Sequence, residues 1–410
     1  MLLLDLDVSG MPDREDKRKS SFSVLKVIGP GIVVAATGIG AGDLVAASVA
    51  GASYGVVLAW AVLLGALFKY VLNVGIAKWQ LSTGTSMIEA WLKQFPKPVS
   101  WYFLIYLVLW SFIVGGALTA ACGLAGHALF PRLSIVQSGI IHALIGLALV
   151  WFGKYRFIEH LMKFFIGLLF VVIVLTGILL LPEMRDIQIM ELVPRFPAGS
   201  FKFTIGVIGG VGGSVTLLSY GYWMKEKGWN HLSSMRVVRI DLLIAYTFTA
   251  LFGLAILVIS AGVKPELASG NEMVLALGDR IESVIGKFGK IVFLIGFWGA
   301  VFSSLLGVWQ GIPYLFADFV QQSGLKVGKS YKGFLLFISL TPISLLFINK
   351  PVWLIITYSV IGAFFMPFLA GSLLFLGKKI KNSPITKIVL WAVLIFFIIA
   401  LGKELINLCT

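Results

Sequence analysis

Charge is scarce in this sequence. Only 13% of its 410 residues are Asp, Glu, Lys or Arg, 59% are hydrophobic, and mean hydropathy is +0.96. An ordinary soluble domain carries about 25% charged residues, so the solvent here is lipid and the chain is an integral membrane protein. Cysteine is scarcer still. Cys122 falls inside an apolar stretch and Cys409 at the extreme C-terminus, which indicates neither a disulfide framework nor a Cys-based metal site. The histidines, His127, His142, His160 and His231, are scattered without metal-ligand spacing. Nucleophile elbow, Walker loop and zincin patterns are all missing. An enzyme, an ATP-driven pump and a tightly bound cofactor are therefore not expected.

What is present is a series of apolar stretches long enough to cross hydrocarbon as helices. Eleven are expected, at approximately 27 to 53, 55 to 78, 101 to 123, 134 to 152, 157 to 181, 203 to 224, 240 to 262, 288 to 312, 333 to 348, 351 to 376 and 386 to 407. The ninth is short enough to read as re-entrant or tilted. The N-terminal run "MLLLDLDVSGMPDREDKRKSS" has acids inside its short apolar part and basic residues after it, the reverse of a secretory signal, and reads as a cytosolic tail over 1–26. A net charge of +14 could suggest nucleic acid. Most of the basic residues, among them Lys78, Lys154, Arg236, Lys329 and Lys378, instead fall on alternate loops. That is the positive-inside pattern, with the N-terminus cytoplasmic and the C-terminus outside. The partner is the bilayer, not nucleic acid.

Acidic residues are nearly absent from the middles of these stretches. Asp43 is the exception, and a carboxylate near mid-bilayer costs several kcal/mol unless it faces water, a cation or other protein. It closes "GIGAGD" at 38 to 43, and "GGVGGS" at 209 to 214 repeats the pattern in the sixth crossing. Clustered glycine followed by an N-cap residue type suggests a broken helix. The first and sixth crossings each open a block of five, as in an inverted repeat whose discontinuous helices meet at a midplane site. Three other readings stand beside this one. The glycines also fit close helix packing, Asp43 could simply cap a half-helix, and the pattern faintly matches a dinucleotide fingerprint, which would need a strand before it.

The stretch "GPGIVVAATGIGAGDLVAASVAGASYG" resembles, without gaps, the first helix of the Nramp (natural-resistance-associated macrophage protein) divalent metal transporters. "STGTSMIEAW" at 82 to 91, "TIGVIGGVGGS", "SSLLGVWQG" at 303 to 311 and "FFMPFLAGSLLFL" at 364 to 376 resemble its later segments in order. The resemblance implies an all-α LeuT-type fold in one transmembrane transporter domain over 27–410. Repeat one would span about 27–181, repeat two about 203–376, and an extra helix about 386–407, with helices 1 and 6 unwound at 38 to 42 and 209 to 213. It also implies transport of a divalent cation by alternating access.

The departures from the family bear on which ion. Aligned residue by residue, the metal-binding Asp becomes Gly40 and the metal-binding Asn becomes Asp43, with Gly42 between them. In helix 6 the ligand positions fall on Gly210 and Gly213, followed by Ser214, and the thioether is gone. Carboxylate, carbonyl and water suit hard cations, and missing side chains suggest a larger cavity, so Mg or Mn is the expected metal-ion substrate. A Gly213→Met change would restore the thioether. The acidic helix 3 residues of the family's proton route have no counterpart in "LVLWSFIVGGALTA", which leaves proton, sodium or uncoupled transport open. Lys69 in the second crossing either snorkels to the cytoplasmic interface, fills a vacant cation site or pairs with Asp43; Asn73 lies one turn on, on the same face. Gln310 and Tyr358 are further cavity-lining candidates. The alternative function is an ion-coupled symporter of a small organic or anionic solute, because half-helix N-termini bind carboxylates.

Overall fold

The computed structural model describes residues 29–153, 155–184, 193–210, 213–325, 329–380 and 382–409. The cytosolic tail expected over 1–26 lies outside them. The described residues form α1 (Pro30–Gly38), a π-helical turn (Ile39–Asp43), α2 (Leu44–Tyr54), α3 (Ala59–Thr83), α4 (Met87–Gln94), α5 (Lys97–Leu129), α6 (Ile135–Phe152) and α7 (Tyr155–Leu180). The second half of the chain gives α8 (Phe201–Gly210), α9 (Ser219–Glu226), α10 (Met235–Ser260), α11 (Pro265–Ser269), α12 (Met273–Ser323), α13 (Ser330–Leu340), α14 (Pro351–Ala363), α15 (Phe365–Leu376) and α16 (Pro384–Cys409).

The fold is all-α and membrane-spanning. Among the described residues nine helices are long and apolar enough to cross, rather than the eleven expected. The difference has a physical origin. The first crossing is divided at the π turn, and its second half runs into the second crossing as one helical stretch, Leu44–Thr83, that turns at Gly55 (φ +60°). The last crossing has its apolar stretch shortened to Pro384–Ala400. In the short ninth segment, α13 passes into a 3₁₀ stretch, Thr341–Ile348, that carries Pro342 near its start. Within α12, Gly286 leaves helical geometry and separates a short first piece from the longer remainder.

Burial follows the logic of lipid as solvent. Outward faces are apolar: Tyr102, Ile105 and Leu109 on α5, and Ile388, Trp391, Ile395 and Ile399 on α16, are exposed. Small and polar residues face inward. α1 and α2 occupy the middle, in contact with α8, α10 and α12.

Two buried or half-buried carboxylates organise the end of the bundle where α1 begins. Asp241 of α10 accepts from the Gly29 N–H at 2.9 Å, the Gly31 N–H at 2.6 Å and the Tyr220 hydroxyl at 3.0 Å. The first N–H groups of a helix have no partner within it and carry its positive dipole end, so a carboxylate from a distant helix satisfies both needs. Asp318 of α12 accepts from the Ser86 hydroxyl at 2.5 Å and the Tyr222 hydroxyl at 2.6 Å. Ser86 in turn caps α4 through the Glu89 N–H.

As a result four consecutive residues of the α8–α9 crossing are each held by a different side chain. Tyr220 bonds Asp241, the Gly221 carbonyl accepts from Gln80, Tyr222 bonds Asp318, and the Trp223 indole donates to Gln310. Asp241→Ala is expected to destabilise the chain by on the order of 3 kcal/mol, because it strands two N–H groups and a hydroxyl away from water. Thermal unfolding of the purified protein in detergent checks this as a drop in melting temperature.

Candidate functional site

The two glycine clusters interrupt their α-helices in different ways. At residues 39–43 the chain stays wound and widens into a π turn; Asp43 keeps helical angles (φ −67°, ψ −48°) and accepts no capping hydrogen bond. The unwinding expected at 38 to 42 is thus replaced by a change of helical register. Single π turns of this kind recur at functional sites. The second cluster does break. α8 stops at Gly210, Gly213 takes φ +83°, Ser214 is non-helical, and the chain resumes as a 3₁₀ turn at Val215. Val211 and Gly212 lie outside the described residues.

The two interruptions meet backbone to backbone. A Cβ built on Gly210 would sit 3.0 Å from the Gly42 carbonyl oxygen, and one on Gly42 would sit 2.5 Å from the Tyr358 hydroxyl. The Gly40 position abuts the Ala300 carbonyl of α12, so the space its missing side chain leaves is taken by backbone. Cavity enlargement, expected from the sequence, does not follow from Gly40. Thr37 and Thr216, which the sequence did not single out, join the two clusters through a 3.3 Å hydroxyl contact.

Asp43 is buried, with 2% of its surface exposed. Its charge reaches Lys69 of α3, Tyr246 of α10 and Tyr358 of α14. Lys69 does not snorkel. It is 0% exposed, and its ammonium donates to the Gly209 carbonyl at 2.6 Å, in the last turn of α8. Asn73, one turn further along α3, donates to the Tyr246 hydroxyl at 3.1 Å while its Oδ1 has no hydrogen-bond partner. The Ser214 hydroxyl is likewise buried without one. Gln310 is engaged by Trp223.

Asp43, Gly40, Gly42, Gly210, Gly213, Ser214, Lys69 and Tyr358 therefore gather around the paired interruptions. Asn73 and Gln310 are joined to neighbouring helices through side-chain bonds. Tyr246 has no sequence signal beyond being a tyrosine in an apolar run, and only the packing of α10 brings it to Asn73. Among the described residues, no three His, Cys, Asp or Glu side chains group as they would to hold a metal ion. The chemistry on offer is one carboxylate, one ammonium, hydroxyls and backbone carbonyls.

Gly213 cannot take a side chain without cost, since φ +83° is a left-handed conformation and its Cβ would run into the Thr216 hydroxyl. A thioether introduced there is not accommodated in place. Gly40→Ala and Gly213→Ala are expected to lower the yield of monodisperse protein in size-exclusion chromatography. Gly371→Ala, where a Cβ meets nothing within 4 Å, is expected to leave it unchanged.

Comparison with known proteins agrees with this architecture. The chain is 23% identical over 320 residues to the divalent metal cation transporter MntH of Chromohalobacter salexigens, covering 73% of this chain and 71% of that one. Among solved structures it is similar to a manganese transporter of Eremococcus coleocola, with a TM-score of 0.74 at 16% identity over 97% of this chain and 90% of that one. The fold is also shared by MhsT, solved with L-phenylalanine, with a TM-score of 0.64 at 16% identity over 92% of this chain and 97% of that one. The natural resistance-associated macrophage protein-like (Nramp) family model matches residues 31–407. With that match spanning nearly the whole chain, and with its inner helices interrupted at both glycine clusters, the protein belongs to the Nramp family, whose members are transporters and not enzymes.

Proposed function

We propose that this chain moves a divalent metal cation, Mg²⁺ or Mn²⁺, across the plasma membrane by alternating access. The N-terminus would face the cytoplasm and the C-terminus the outside. One transporter domain, about residues 27 to 410 with repeats near 27–181 and 203–376, would carry the activity. The observation that supports this reading best is the burial of Asp43 in a π turn that meets the break of the α8–α9 crossing. A carboxylate held inside the membrane attracts a cation and repels an anion. The names of the relatives, a divalent metal cation transporter and a manganese transporter, point the same way.

In this reading the ligands are Asp43, backbone carbonyls at Gly40, Gly42, Gly210 and Gly213, the Ser214 hydroxyl and retained water. All are oxygen donors. Such a set suits Mg²⁺ and Mn²⁺ and discriminates weakly for soft ions, which thioether and thiolate ligands favour. Each half of the cycle would expose this same site to one side, so the metal is substrate and not a resident cofactor.

One observation favours a second reading. The Lys69 ammonium already lies beside the break, and together with Asp43 it makes a site of one positive and one negative charge. A small organic solute bearing a carboxylate, or a carboxylate and an amine, would be recognised by that pair.

Flux into proteoliposomes separates the two. Asp43→Asn keeps the size of the side chain and removes its charge, so divalent flux is expected to fall to background while the protein still folds and inserts. Normal metal flux through this variant, or metal-independent uptake of an amino acid by the wild type, would overturn the divalent-cation reading in favour of the organic solute.

A further inference from the structure

A half-helix that ends inside a membrane protein presents carbonyl oxygens with no partner in the helix, at the negative end of its dipole. In discontinuous membrane helices such ends hold small monovalent cations that are carried along with the substrate. The end of α8 is one of these. The Gly213 N–H, which could have continued the ladder to Gly209, bonds the Gly210 carbonyl instead at 3.1 Å. The Gly209 carbonyl receives the Lys69 ammonium at 2.6 Å.

Lys69 does not reach water along its own helix. It is the eleventh residue of α3, Ala59–Thr83, with roughly 15 Å of helix before it and roughly 21 Å after it at 1.5 Å per residue. A lysine side chain cannot span either distance to water. Its full burial agrees. An isolated ammonium inside hydrocarbon costs several kcal/mol unless neutralised and hydrogen-bonded. Here the helix-end carbonyl supplies an acceptor. An ammonium carries the same single positive charge as a bound Na⁺, and here it meets a backbone carbonyl oxygen, the kind of ligand such an ion takes.

We propose that Lys69 is a tethered cation that fills, from within the chain, the monovalent-ion position at the broken end of α8. A tethered charge cannot leave with the substrate. Transport therefore proceeds without a co-transported Na⁺, and the position is closed to ions from solution. The inference rests on the transporter reading only where flux is measured; occupancy of the position does not depend on what the substrate is.

The test uses the purified full-length protein in detergent, melted in choline chloride and in NaCl or NH₄Cl at equal ionic strength. The wild type is expected to melt at the same temperature in all three salts. Lys69→Met empties the position, so Na⁺ or NH₄⁺ is expected to raise its melting temperature by several degrees over choline, as a ligand that binds only the folded state does. Lys69→Gln, which keeps a polar end, serves where the Met variant does not fold. In proteoliposomes loaded with choline salts, the variant is expected to lose roughly tenfold in substrate flux, a change of 1.4 kcal/mol, and to regain it with NH₄⁺ or Na⁺. A wild type stabilised by Na⁺ would overturn the proposal, as would a folded variant that responds to neither ion. If the wild type carries no divalent metal but the melting results hold, the proposed substrate falls and the tethered cation stands.

Discussion

The bond from the Lys69 ammonium to the Gly209 carbonyl brings together the two most expensive features of this molecule, a buried positive charge and a helix that stops inside the membrane. Lipid offers no partner to either. For the bond to form, α3 must lie against the end of α8, and the contact between those helices is part of the central packing. The same approach sets the π turn beside the break, where only glycine allows the Gly42 and Gly210 backbones to come as near as they do. Asp43 lies in that turn, buried away from hydrocarbon.

The two halves of the interrupted crossings are fixed to different degrees. α9 is fastened by Asp241, Gln80, Asp318 and Gln310 through successive residues, while α1 is tied at its start by Asp241 alone among the contacts described above. One carboxylate thus serves both elements. Any displacement of α1 draws on the same oxygen that holds Tyr220, which couples the first crossing to the sixth at one end of the bundle. Hydrogen bonds to a charged acceptor are worth about 1.5–3 kcal/mol each.

The site is as notable for its chemistry as for its geometry. Oxygen donors and a single carboxylate stand where the family resemblance would lead one to expect an Asp, an Asn and a thioether. Glycines, Gly40 and Gly213, occupy two of those positions, and at Gly40 the neighbour that fills the space is the Ala300 backbone. Loss of side chains has therefore gone, at that point, into closer helix packing, the usual use of small residues in membranes.

Much of the fold was legible in the sequence because hydropathy and helix length are local properties. Apolar runs marked the crossings, and the glycine clusters marked where two of them change. The isolated Asp43 marked the candidate site, since a carboxylate in hydrocarbon is costly wherever the chain folds. What the tertiary structure decided depends on partners far away in the chain. Whether "GIGAGD" unwinds or widens into a π turn is a matter of hydrogen-bond register, settled where Gly40 packs on Ala300 of α12. Spacing along α3 placed Lys69 and Asn73 on one face but could not say what that face meets; Gly209 is 140 residues away and Tyr246 is 173. Asp241 lies near the start of α10, and its partners at Gly29 and Gly31 are 212 and 210 residues distant. A sequence carries the cost of burying a polar group, but the group that offsets it is chosen by how the helices pack.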